Sequence, residues 1–159
     1  MDQVTKIAVC SRSFSKNAVL RSELLKRYAK VTFNDSGITL SGNELKNFLN
    51  GQDKAITSLE IIDEDLLNCL PQLKVISKYG VGLDSIDLNA MCRHSKLLGW
   101  VGGINKRSVS ELVISFAITM LRRVREGNLD LVRGGWGTYV GGQLTGRTVG
   151  VIGLSLIHI

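Results

Sequence analysis

Short runs of branched apolar residues, each followed by a longer stretch with helical spacing, recur through residues 6–101, and this alternation is the tightest constraint on the fold. The runs are KIAVCS (6–11), VTF (31–33), KAITSL (54–59), LKVIS (73–77) and KLLGWV (96–101). Each has the β-branched character of a buried strand. Between them lie helical patterns. Leu20, Leu24, Leu25 and Tyr28 recur on one side of residues 17–29, after a polar turn over 11–16. Ser41 and Glu44 form a capping-box pattern that opens a helix through Leu45, Phe48 and Leu49, which Gly51 stops. Asp63 is placed to cap a brief helix over 64–70, and Pro71 forbids its continuation. A further helix follows Asp87 through Leu88, Met91 and Cys92. Such alternation with short connections predicts an α/β domain, a parallel sheet with helices on both faces.

Gly102-Gly103 breaks the rhythm. Ser108 and Glu111 make a second capping-box pattern, and the helix behind it is expected to run to about Val124. Its residues Leu112, Val113, Ile114, Phe116, Ile118, Met120, Leu121 and Val124 cover nearly the whole circumference. A helix apolar all round is one buried on more than one side, so this one is expected between two domains. Residues 127–142 read as a helix tail and a loop, with Trp136 as a packing anchor. Residues 146–154, GRTVGVIGL, read as another buried strand that begins a fresh unit. The expected division is therefore a domain over 1–103 and the start of a second over 104–159.

Chemistry concentrates in residues 73–87, LKVISKYGVGLDSID. A strand ending in a loop with Gly80 and Gly82 lifts backbone N–H groups to the carboxyl edge of a sheet, where open α/β sheets bind ligands. Lys78 and Tyr79 stand at the lip of that loop, so a cation sits beside free donors. An anion, most simply a carboxylate, is the natural guest. Taken alone, the stretch reads equally well as an ordinary glycine-rich turn. Asp84 and Asp87 read as helix caps before they read as catalytic groups.

Composition excludes several classes. The net charge is +6, but aromatics are 6% and the basic clusters are short, so nucleic-acid binding is not expected. Cys10, Cys69 and Cys92 are widely spaced and form no C-x-x-C pair. They predict neither a disulfide framework nor a metal site, and they fit a reducing compartment. The longest apolar run, 112–121, is too short for a membrane span, and residues 1–10 do not form a signal peptide. A cytoplasmic protein with no membrane partner is the expectation.

Gly153 stands where a dinucleotide fingerprint G-x-G-x-x-G would place its first glycine, but Ser155 and His158 occupy the next two glycine positions. As it stands the fingerprint is broken. Three stretches together, VISKYGVGLDSID (75–87), GGINKRSVSELVISFAITMLRRV (102–124) and the run from Trp136 through GGQLTGRTVGVIGL to Leu154, resemble the D-isomer-specific 2-hydroxyacid dehydrogenases, in the phosphoglycerate dehydrogenase branch. The resemblance covers residues 6–154.

It implies a flavodoxin-like substrate domain, followed by the truncated start of a Rossmann domain that binds NAD (or NADP). It implies an oxidoreductase moving hydride between the nicotinamide and a small 2-hydroxy or 2-oxo acid, working as a homodimer. By the same resemblance Lys78, Tyr79, Gly80, Val81 and Asn105 would meet the substrate, while Val81 and Gly153 would meet the cofactor. The family's catalytic Arg, Glu and His have no counterpart here, since His94 and His158 match no such position and His94 reads as a surface or satisfied histidine. The chain as it stands is thus expected to be inactive, and residues 155–159 read as the product of a truncation, frameshift or joining error. A non-catalytic flavodoxin-like binding or regulatory module, or an inert truncated product, is the alternative.

Overall fold

The computed structural model describes residues 2–153, the side chain of Gln3 excepted. The chain divides into two compact units, Met1–Val101 and Gly102–Ile159.

In the first unit the strands are β1 (Asp2–Val9), β2 (Tyr28–Phe33), β3 (Lys54–Thr57), β4 (Val75–Lys78) and β5 (Leu97–Gly99). They form one wholly parallel sheet in the order β2-β1-β3-β4-β5. This is the flavodoxin-like order, whose switch point lies between β1 and β3. The helices between are α1 (Arg12–Lys16), α2 (Ala18–Arg27), α3 (Gly42–Leu49), α4 (Glu64–Asn68) and α5 (Leu88–Arg93).

Register explains the core. Ala8, Ala55, Ile76 and Leu98 pair in one row across the sheet, so their side chains share a face. That row packs with Leu45 and Leu49 of α3, Leu66 and Leu67 of α4, and Ala90 and Met91 of α5. Leu49, Leu67 and Ile76 are wholly buried, each stabilising the unit by roughly 1.5–3 kcal/mol. The next row, Val9, Ile56, Ser77 and Gly99, faces the opposite way. There β4 and β5 approach closely: a Cβ at Gly99 would lie 2.7 Å from Ser77 Oγ.

Several local expectations hold. Asp63 Oδ1 accepts the Leu66 N–H at 2.9 Å, and Asp87 Oδ1 accepts the Ala90 N–H at 2.9 Å, so both are true N-caps. Others need correction. The expected polar turn over 11–16 contains α1, capped by Ser11, whose Oγ accepts the Phe14 N–H. Ser41 does precede α3, but its side chain makes no cap bond; its carbonyl takes the Glu44 and Leu45 N–H groups instead. Tyr28, expected on the α2 face, opens β2. Cys10, Cys69 and Cys92 are all free thiols.

The second unit holds α6 (Lys106–Leu121) and α7 (Val124–Val132), joined through Arg123 in a left-handed conformation, φ 53°. Helix α6 starts earlier than its sequence pattern suggests. Asn105 is the N-cap, without a side-chain bond, and Ser108 and Glu111 lie inside the helix. Glu111 pairs with Arg107 at 3.0 Å rather than closing a capping box. Its apolar residues are largely exposed, Leu112, Phe116 and Met120 among them, and no residue of the helix is buried. Trp136, read as a packing anchor, is 91% exposed. The residues from 146 to 153, expected as a strand, are unpaired. A parallel strand needs a neighbour on its ladder, and among its described residues this unit contains no other strand. Leu154, Ser155 and His158 lie outside the described residues.

Among the described residues, no helix is long and apolar enough to cross a membrane.

Candidate functional site

The carboxyl end of β4 is where charge and open backbone meet. Thr57 of β3 pairs with Lys78 of β4, so Ser58 and Tyr79 leave the sheet side by side. Strand alternation then sends Lys78 and Tyr79 to opposite faces. Tyr79 packs edge-on against Phe14, with ring centroids 5.3 Å apart at 81°. Lys78 turns the other way. Its ammonium donates to the Ser58 carbonyl and to Ser85 Oγ, the latter at 2.8 Å.

A buried carboxylate stands behind this arrangement. Glu60 is 2% exposed, and its Oε2 accepts the Ser58 N–H at 2.6 Å. The Ser58 residue is therefore held at both backbone ends, by a carboxylate on its N–H and by an ammonium on its carbonyl. Burial draws the Lys78 amine below the ordinary lysine range, while Glu60 and Asp84 pull it back. Burial also pushes the nearby Cys10 thiol up, with Glu60 adding to the effect, which leaves it a poor nucleophile.

The loop beyond β4 is open to a ligand. Tyr79 N–H bonds to the Thr57 carbonyl, and Ile86 N–H to the Leu83 carbonyl. Among the described residues, the backbone N–H groups from Gly80 to Ser85 have no protein acceptor. Such a series of unpaired donors beside a cation is suited to an anion. Gly80 has φ 142°, outside the range that a side chain adopts easily. The loop is pinned from the side by Trp100, whose Nε1–H donates to the Val81 carbonyl at 3.0 Å. Ser58, Leu59, Lys78, Tyr79, Val81 and Asp84 are among the residues enclosing a cleft of about 240 Å³.

Lys78, Tyr79, Gly80 and Val81 are thus brought together in one cleft of the first unit. Asn105 and Gly153 belong to the second unit, the former at the N-cap of α6, the latter at φ 83° with no described residue within 4 Å of its Cβ position. Asp84 does not cap α5; it contributes negative charge beside Lys78. His94 is satisfied, by a residue distant in sequence: its Nε2 meets Glu64 Oε1 at 2.7 Å, and Arg93 holds the other oxygen. Ser58, Glu60 and Ser85 were not anticipated. One signal was present for Glu60, a lone carboxylate inside the apolar run Leu59-Glu60-Ile61-Ile62. Among the described residues, no group of His, Cys, Asp and Glu could hold a metal ion.

Comparison with known proteins shows the family and the fold. Residues 7–149 match the family described as D-isomer specific 2-hydroxyacid dehydrogenase, catalytic domain. The chain is 29% identical over 104 residues to D-3-phosphoglycerate dehydrogenase of Bacillus subtilis, an alignment covering 64% of this chain and 20% of that protein. It is 29% identical over 127 residues to glyoxylate reductase of Thermofilum pendens, covering 75% and 37% respectively. The chain therefore spans well under half the length of these relatives. Among solved structures, NAD+-bound 3-phosphoglycerate dehydrogenase of Entamoeba histolytica superposes with a TM-score of 0.71 at 24% identity, over 96% of this chain and 47% of that one.

Proposed function

Because the chain belongs to the D-isomer-specific 2-hydroxyacid dehydrogenases, we propose that it is the N-terminal part of an oxidoreductase that uses NAD (or NADP) and acts on a small 2-hydroxy or 2-oxo acid. The observation that carries the reading is the loop from Gly80 to Ser85, with its unpaired N–H groups beside the Lys78 ammonium. In this reading Lys78 and the loop donors hold the substrate carboxylate, with Tyr79 and Gly80 shaping the lip; Asn105, in the second unit, is assigned to the substrate by family membership alone.

Two residues are assigned to the cofactor. Val81 is half-buried, and its carbonyl is fixed by Trp100, so its side chain offers a firm apolar surface to a nicotinamide ring. Among the described residues nothing crowds Gly153, which suits a close backbone approach by a diphosphate. When bound, the nicotinamide supplies or accepts the hydride; this chain's part is to bind and orient the acid. Residues 1–103 are assigned to substrate and 104–159 to the beginning of the cofactor domain. The share of the relatives' length that the chain covers supports its being a part of the enzyme. A cytoplasmic homodimer completes the proposal, the exposed apolar residues of α6 being suited to a partner.

The test is steady-state kinetics on the complete protein. Reduction of a 2-oxo acid by NADH or NADPH is expected. Lys78→Ala should raise KM on the order of ten- to a hundredfold with a smaller effect on kcat, the pattern of an interaction made equally in ground and transition states. Lys78→Arg should restore only part, because a planar fork does not replace a point charge. An unchanged KM in Lys78→Ala removes Lys78 from the site.

A further inference from the structure

The substrates named for the two relatives above differ in a way that bears on charge: one carries a phosphate, and glyoxylate does not. The cleft beside Lys78 bears on that choice, and the inference rests on the function proposed above.

The charge at the cleft is sparse. Among the described residues that enclose it, Lys78 is the single cation, and Asp84 stands beside it as a carboxylate. A second carboxylate, Glu60, lies behind Ser58 and also acts on Lys78. The ammonium already donates to the Ser58 carbonyl and to Ser85 Oγ, which leaves one of its three hydrogens for a ligand. That hydrogen and the loop N–H groups suffice for one carboxylate. A phosphate ester would add nearly two further negative charges. It is normally met by guanidinium forks or by several cations, and this wall offers neither.

Leu59 supplies the other half of the argument. It follows Ser58 directly, encloses the cleft, and is 63% exposed. Together with Val81 it gives the cleft an apolar portion of its lining beside the charged one. We infer that the substrate is a monoanionic 2-oxo or 2-hydroxy acid of a few carbon atoms, whose C3 bears hydrogen or a small hydrocarbon group that lies against Leu59, and that phosphorylated acids are rejected. Leu59 acts here as a specificity-determining residue: an apolar surface for C3, placed where a phosphate would need a cation.

The experiment compares 2-oxobutanoate with 2-oxo-3-(phosphonooxy)propanoate in the complete protein, with NADH or NADPH as reductant. The ratio of kcat/KM values should favour 2-oxobutanoate by about a hundredfold or more, the usual scale for an unpartnered like charge in a site. In Leu59→Arg, kcat/KM for the phosphorylated acid should rise about tenfold while that for 2-oxobutanoate falls, since the variant supplies the missing cation and removes the apolar contact. The exposure of Leu59 makes this substitution tolerable to the fold. Preference for the phosphorylated acid in the unsubstituted protein overturns the inference and leaves the proposed function standing. An unshifted preference in Leu59→Arg overturns the role of Leu59. Turnover of neither acid, nor of any other 2-oxo acid, overturns the proposed function and this inference with it.

Discussion

The double hold on Ser58 yields a prediction that needs neither cofactor nor substrate. Its N–H is taken by the buried Glu60 carboxylate at 2.6 Å, and its carbonyl by the Lys78 ammonium. Lys78→Met keeps the aliphatic stem and removes the charge. It deletes two hydrogen bonds from a charged donor, to Ser58 and Ser85. Each would be worth roughly 1.5–3 kcal/mol if fully buried. The amine is only half-buried, so the carbonyl and hydroxyl left behind can turn to water, and a loss of about 2 kcal/mol is the reasonable sum. Glu60→Gln keeps an acceptor for the Ser58 N–H but removes the opposing charge. If the two charges support each other through Ser58, the double variant should be more stable than the separate losses imply, by about 1 kcal/mol. Urea unfolding of the four proteins, followed by circular dichroism, gives this coupling directly. Additive losses, or a loss below about 0.5 kcal/mol for Lys78→Met, would refute the idea of a charge-held peptide.

Three further outcomes are expected. The Lys78 amine titrates below the ordinary value of 10.5. Its positive form, which the proposed carboxylate contact requires, is therefore lost on the alkaline side before pH 10.5, and KM for the acid should rise there in the complete protein but not in Lys78→Met. The Glu64 carboxyl is held below its usual 4.5, first by Arg93 and then by His94. A depressed carboxylate stabilises the fold above 4.5 and loses that effect as pH falls through its lowered value, so Glu64→Gln should flatten the acid limb of a thermal-stability profile, and an unaltered limb would count against the clasp between α4 and α5. Finally, the exposed apolar residues of α6 should make the chain self-associate. Phe116→Glu should shift light-scattering mass downward, and equal masses for the two proteins would exclude that face.

How much was legible depends on how local the cause is. The caps at Asp63 and Asp87 are legible because the acceptor and donor lie three residues apart, within one turn. The strands β3, β4 and β5 are legible from branched apolar runs, and their parallel order follows from the helices between them. Helix α1 was hidden by its brevity, since Arg12–Lys16 is too short to show a period. The polar start of β1 was hidden for another reason. Asp2 folds back on the Val4 and Thr5 N–H groups, so the strand begins with a local irregularity that no apolar pattern marks. Residues 146–153 show the converse failure: composition expresses a preference for extension but supplies no partner for the ladder. The same division runs through the site. Lys78 and Gly80 announce themselves by spacing, whereas Ser58, Glu60 and Ser85 reach Lys78 only through the pairing of β3 with β4 and the return of the loop.

The strand order also has a consequence for the way the chain leaves the ribosome. The strand β1, made before the other four, occupies the interior of the sheet, with β2 as its neighbour on one side and β3 on the other. Until Lys54–Thr57 has been synthesised, Ile7, Ala8 and Val9 keep an unpaired edge. At about ten residues a second, that exposure lasts several seconds, long enough for a nascent strand to find a wrong partner. Charges bracket the exposed segment, with Lys6 just before it and Arg12 just after. Residues so placed discourage edge-to-edge pairing between neighbouring chains. Lys6 and Arg12, which are not among the residues lining the cleft, are thus placed to oppose such pairing during the interval before β3 exists.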